Sequence, residues 1–262
     1  MVSFSTPFAQ GRVARARMLS KTMRRARTAV AICLLLTGCQ SAVSRGVSAR
    51  TANSEVNLSF TIENNLLRLD TVTLDNRAGR YYLGSAHPRT LVHPTFLPGQ
   101  PRHSSLSLSV RETVSVDPIY VDLTAVGDAI IGFDAWSRHA ITIHYFEGLV
   151  TYQKDGIHTD GMTLFRYEDE PAIAVTVDGR RVPAAIDTAI PDTLILPRGT
   201  AAPGRTNVRV EIAGTVFENV DVALADVSRA RIGNRLLSKF LVSIDYEQRR
   251  VGLWRDPRIP IK

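Results

Sequence analysis

The sequence predicts an all-β protein built as two lobes by internal duplication, each lobe carrying one short helix. Three observations carry this reading. From Leu58 onward, short runs alternate apolar and polar residues, as in Leu58-Phe60-Ile62, Leu67-Leu69, Leu106-Leu108-Val110 and Ile141-Ile143, the period of half-buried strands. Helix candidates are few and short. The chain also repeats itself. With Gly84 laid on Asp187, an offset of 103, Val72, Thr73, Asp75, Arg77, Ala86, Pro88, Thr90 and Leu91 all meet identical residues. Ile131-Gly132, Ser137, Ile143 and Tyr145 likewise meet Ile232-Gly233, Ser238, Ile244 and Tyr246 at an offset of 101.

The N-terminal stretch belongs to neither copy. Arg12, Arg15, Arg17, Lys21, Arg24, Arg25 and Arg27 precede an apolar run from Ala29 to Leu36 that is too short to span a bilayer. A basic segment followed by such a run has the form of a secretory signal. The net charge of +7 equals these seven residues, and the rest of the chain balances 25 basic against 25 acidic residues. A nucleic-acid partner, which needs a basic face, is therefore not expected. Leu36-Thr37-Gly38-Cys39 resembles the lipobox of bacterial lipoproteins. That resemblance implies a signal peptide over 1–38, lipid on Cys39, and a place in the bacterial cell envelope, at the outer membrane or periplasmic face. With Cys33 discarded and Cys39 acylated, no cysteine pair remains for a disulfide. Residues 39–56, rich in Ser, Ala, Arg and Thr, read as a flexible tether.

The first lobe is expected over 57–150, a connection over 151–170 and the second lobe over 171–256. The two helix candidates, Phe133–His139 and Asn234–Phe240, each follow an Ile-Gly pair and precede a strand. Asp75 and Asp178 are matched positions at hairpin turns, where Asp is favoured. In the second copy, Val175 to Val182 alternates around Asp178-Gly179, a hairpin signal. The apolar Ala184-Ala185-Ile186 then delivers Asp187-Thr188-Ala189-Ile190 to a turn, and Leu194-Ile195-Leu196 leaves it.

Hairpin, acid, turn and strand, followed by an apolar-apolar-Gly triplet and a short helix, resemble the retropepsin-type aspartic peptidases, whose loop reads Asp-Thr-Gly-Ala. The resemblance covers roughly residues 57–256. Here Ala189 replaces the loop glycine, and Ile130-Ile131-Gly132 fits the triplet better than Arg231-Ile232-Gly233 does. It implies two pepsin-type lobes, with Asp187 and Thr188 at the catalytic positions. Gly84, Ser85, His87, Ala189 and Asp192 would line the substrate site. Such enzymes use two facing carboxylates that share a proton, one acting as acid and one as base. The first copy offers Gly84 where the second acid belongs.

Three functions follow as expectations. The first is a catalytically impaired protein that binds a peptide or protein segment in the interlobe cleft. The second is an active peptidase in which His87, or Asp187 of another chain in a dimer, assists Asp187. The third is a structural envelope lipoprotein with an unused cleft. Other chemistries lack their motifs. There is no Gly-x-Ser-x-Gly elbow, and Asp155 and Asp160 lack calcium-loop spacing. The histidines lack metal-type spacing. No cofactor or metal is expected, and the oligomeric state stays open.

Overall fold

The computed structural model describes residues 55–96, 106–110, 112–201, 204, 206–255 and 257, and the alternating runs in them become strands. The expected signal, Cys39 and nearly all of the tether lie outside these residues. The first half of the chain contributes β1 (Glu55–Glu63), β2 (Leu66–Leu69), β3 (Thr73–Leu74), β4 (Tyr81–Leu83), β5 (Leu91–Val92), β6 (Leu106–Ser109), β7 (Thr113–Val116), β8 (Ile119–Tyr120), β9 (Ala129–Ile131), β10 (Ala140–His144) and β11 (Leu149–Gln153). The second half contributes β12 (Thr163–Arg166), β13 (Ala172–Val177), β14 (Arg180–Ile186), β15 (Leu194–Pro197), β16 (Asn207–Ile212), β17 (Thr215–Asp221), β18 (Ala223–Ala225), β19 (Ala230–Ile232), β20 (Phe240–Asp245) and β21 (Arg250–Arg255). The protein is all-β, as expected.

The two halves share one pairing scheme. The sheet order β2-β4-β9-β5-β8 in the first half recurs as β13-β14-β19-β15-β18 in the second. In each, the strand leading to the candidate loop pairs in parallel with the strand before Gly132 or Gly233. Leu83 lies opposite Ile131, and Ile186 opposite Ile232. The hairpin turns also correspond. Asp75 and Asp178 take positive φ, and each accepts a backbone N–H through Oδ1, from Ser107 at 2.7 Å and Arg209 at 3.0 Å. These are the turn roles the sequence assigns to them.

Between the halves runs a sheet in the order β12-β21-β20-β10-β11-β1. At its centre β10 and β20 pair antiparallel, with Thr142 opposite Ser243 and their hydroxyls 2.8 Å apart. These two residues match at the offset of 101, so the pair sits where a two-fold relation between the halves would place its axis. One apolar cluster runs through both halves, from Leu58 and Trp136 to Ile186 and Leu253. The described residues accordingly fall in one compact unit, Ala49–Lys262.

The helices are shorter than expected. Phe133–Ala135 is a single 3-10 turn, and α1 covers Asn234–Leu237. Gly132 and Gly233 precede them and supply no side-chain cap, so the turns rest on packing and on their own backbone bonds, such as Trp136 N–H to the Phe133 carbonyl at 2.9 Å and Ser238 N–H to that of Asn234 at 2.8 Å. The reason for glycine is close approach. A Cβ on Gly132 would lie 2.5 Å from the carbonyl oxygen of Arg89, and one on Gly233 would overlap that of Asp192. The candidate loop of each half thus rests on the backbone before its helix.

Candidate functional site

Two loops meet at the junction of the halves. Strand β14 buries Ala184, Ala185 and Ile186, and the next N–H, that of Asp187, bonds to the Ile232 carbonyl at 3.0 Å. In the first half the Gly84 N–H bonds to the Ile131 carbonyl at 2.8 Å. Asp187 and Gly84 therefore hold equivalent places at the ends of equivalent strands.

The loops are joined by an exchange of buried hydroxyls. Ser85 Oγ donates to the Ile186 carbonyl at 2.6 Å, and Thr188 Oγ1 donates to the Leu83 carbonyl. In return, the Thr188 N–H donates to Ser85 Oγ at 3.1 Å and the Ser85 N–H to Thr188 Oγ1 at 3.2 Å. Ser85 and Thr188 match at the offset of 103, so each half does to the other what is done to it. Both are fully buried. Their hydroxyls satisfy backbone groups that would otherwise be buried without partners. A second bridge flanks the loops. Asn234 Nδ2 donates to the Asn65 carbonyl at 2.6 Å and to that of Thr188 at 2.8 Å, while Tyr145 donates to Asn234 Oδ1 at 2.7 Å.

Asp187 has no exposed surface. Its Oδ1 accepts the Ala189 N–H at 3.0 Å, and its Oδ2 accepts Arg231 Nη1 at 2.6 Å. A charge taken out of water needs such a partner and such hydrogen bonds. The pair extends outward, with Arg231 Nη2 4.0 Å from Glu170 Oε2 and Arg229 Nη1 3.4 Å from Glu170 Oε1. On the other side, His87 Nε2 stands 4.0 Å from Asp187 Oδ1.

The first half fills the corresponding space differently. A Cβ on Gly84 would meet Ile130 Cγ2 at 2.5 Å and His87 Cδ2 at 2.9 Å. Ile130 and Arg231 are equivalent positions, so the halves hold complementary pairs: glycine with isoleucine in one, aspartate with arginine in the other. Putting Asp at position 84 alone would drive its side chain into Ile130 and His87. We expect Gly84→Asp to lose about 1–3 kcal/mol by overpacking in denaturant unfolding and to gain no peptidase activity.

The structure brings Gly84, Ser85, His87, Asp187, Thr188 and Ala189 together. Ala189 also packs against the small apolar cluster of Leu66, Tyr82, Leu123 and Ile130. Asp192 lies apart, lining a cavity of about 250 Å³ with Asp221 and Arg235. Its backbone carbonyl, not its carboxylate, seats on Gly233 and accepts from Asn65 Nδ2 at 3.3 Å. Its matched residue Arg89 turns to the Asp117 carbonyl at 3.0 Å, so the two do not face each other as a pair. Sequence reasoning missed the role of Arg231. It stood out only as a misfit in an apolar triplet, although a cation in strand register beside a buried acid is itself a signal of pairing.

What the site can do follows from its donors. Aspartic peptidase chemistry needs a second carboxyl group to protonate the substrate carbonyl. Arginine is a fixed donor of hydrogen bonds and not a proton source. Among the described residues, no group of three or more His, Cys, Asp or Glu side chains is placed to hold a metal ion. The chain matches no model of a known protein family and no curated protein.

Proposed function

We propose that this protein is a catalytically silent, duplicated member of the retropepsin-like fold, lipid-anchored through Cys39, which binds a peptide or protein segment at the junction of its lobes. The observation that carries this reading is the buried Asp187 carboxylate, ion-paired to Arg231, in a site where the equivalent position of the first half is Gly84. The matched strand pairings and the exchanged hydroxyls of Ser85 and Thr188 support the duplication. At the rim, His87, Ala189 and Ile190 keep part of their surface exposed and form the contact face available to a ligand.

The test is an unfolded, fluorescently labelled protein substrate incubated with the mature protein between pH 3 and 7. Wild type and Asp187→Asn should bind it and leave it intact, and Ala189→Trp should weaken binding by crowding the rim. Cleavage by wild type that Asp187→Asn abolishes would instead establish the active-peptidase reading. His87, 4.0 Å from Asp187, is the residue that reading would use. Absence of both binding and cleavage would leave a structural lipoprotein.

The anchor is tested separately. Among the described residues no helix is long and apolar enough to cross a membrane. Intact-mass measurement on membrane-extracted protein should show an N-terminus at Cys39 carrying lipid, and Cys39→Ala should remove the lipid. A product retaining residues 1–38 without lipid would overturn the assignment.

A further inference from the structure

In the first half of the chain, β1 links two sheets. Residues Glu55–Ser59 pair with β11 of the central sheet, and Phe60–Glu63 pair with β2. Among the described residues, the second half has no such link. Among the described residues, strand β12 ends the central sheet and pairs with β21 alone, while β13 starts its hairpin with β14 in a separate sheet. Between β12 and β13 lies an open groove of about 620 Å³.

The unpaired edge of β13 can be located to single residues. The Pro171 carbonyl accepts from the Ile186 N–H at 2.8 Å, which turns the backbone groups of 171, 173 and 175 toward β14. Antiparallel strands alternate the direction of these groups, so the N–H and C=O of Ala172 and Ala174 point the other way. Thr176, next in that series, is met by β16. No partner strand meets Ala172 and Ala174 among the described residues.

The first half shows what belongs there. Leu69 lies opposite Tyr81 as Ile173 lies opposite Ala184, so Asp70 corresponds to Ala174. The Asp70 N–H donates to the Ser59 carbonyl of β1 at 2.9 Å.

We propose that an extended, acidic segment of another polypeptide adds as a strand in this groove, pairing with Ala172 and Ala174 and joining the two sheets as β1 does in the first half. Open edges are templates for such addition. The chemistry of the groove selects its occupant. Leu164 is 45% exposed and, with Phe165 and Val182, offers apolar contact. Arg166, Arg181 and Arg229 line the groove against one acid, Glu168. Arg229 is tied to Glu170, whereas Arg166 and Arg181 are exposed and form no ion pair among the described residues. This site is distinct from the rim around Asp187 and does not depend on the function proposed there.

The probe is an acetylated eight-residue peptide alternating valine and glutamate, titrated into the full mature protein. Expected results are saturable binding, slowed amide exchange at Ala172 and Ala174, and a loss of about tenfold in affinity in Arg166→Glu/Arg181→Glu, equivalent to about 1.4 kcal/mol. Both arginines are exposed, so this variant should keep the wild-type unfolding midpoint. N-methylation of alternate peptide residues should abolish binding, because it removes backbone donors. The proposal is overturned if the peptide does not bind, or if a valine–lysine peptide or the N-methylated peptide binds as well. Protection of the same two amides through self-association would also overturn it, assigning the edge to a second copy.

Discussion

Arg231→Met should cost about 3–5 kcal/mol of stability at neutral pH, the loss expected when one partner of a buried ion pair is removed. Asp187 has no solvent contact, so the variant strands a carboxylate whose remaining side-chain hydrogen bond is the Ala189 N–H. The side chain of Arg231 is itself 30% exposed, which places the effect toward the lower end of that range. The informative variant is the double one. Arg231→Met with Asp187→Asn removes both charges, and well-packed neutral replacements of a buried pair are often tolerated. We expect the double variant to recover most of the loss, giving a coupling of about 2 kcal/mol or more in a double-mutant cycle by denaturant unfolding. Additive losses would show that Arg231 does not hold Asp187. The same cycle bears on function, because a strongly coupled pair leaves Asp187 committed to the fold.

Thr188→Val should cost about 3 kcal/mol. The substitution keeps the shape and removes one hydroxyl, but that hydroxyl serves both loops. Without it the Leu83 carbonyl loses its donor, and the Ser85 N–H loses its acceptor. Each buried polar group left without a partner costs about 1–3 kcal/mol. Thr188→Ser keeps the hydroxyl and deletes a methyl group, for about 1 kcal/mol. Unfolding midpoints of the two variants decide the matter. Equal losses would mean that the methyl contact, and not the hydroxyl exchange, joins the halves. The larger loss for valine should come with looser association of the halves, visible as faster amide exchange at Ser85 and Asp187 in the native state.

Much of the fold was legible because its signals are local. Alternation marked the strands, Asp75 and Asp178 marked turns through their tolerance of positive φ, and the Ile-Gly pairs marked the strand-to-helix breaks. The helices were overestimated. Residues 133–139 and 234–240 carry helical composition, but each must connect two strands over a short distance, and only about one turn forms. Within the candidate site, Gly84, Ser85, His87, Asp187, Thr188 and Ala189 were all named from sequence. Asp192, also named from sequence, lies apart from them, with its backbone carbonyl seated on Gly233 and the residue lining a separate cavity.

By itself the sequence determined the strand content, the offsets of 103 and 101, and the absence of a second acid at position 84. These are properties of residue type and spacing along one chain. Only the tertiary structure decided that Arg231 neutralises Asp187, that Ile130 and His87 close the space beside Gly84, and that Ser85 and Thr188 exchange hydroxyls across the halves. It also decided that β13 keeps an open edge where β2 is covered. Apart from His87, which lies three residues from Gly84, these contacts depend on which groups more than forty residues apart arrive within hydrogen-bond or van der Waals distance. Pattern along the chain does not encode that distance, because it is set by how two separately predictable units register against each other.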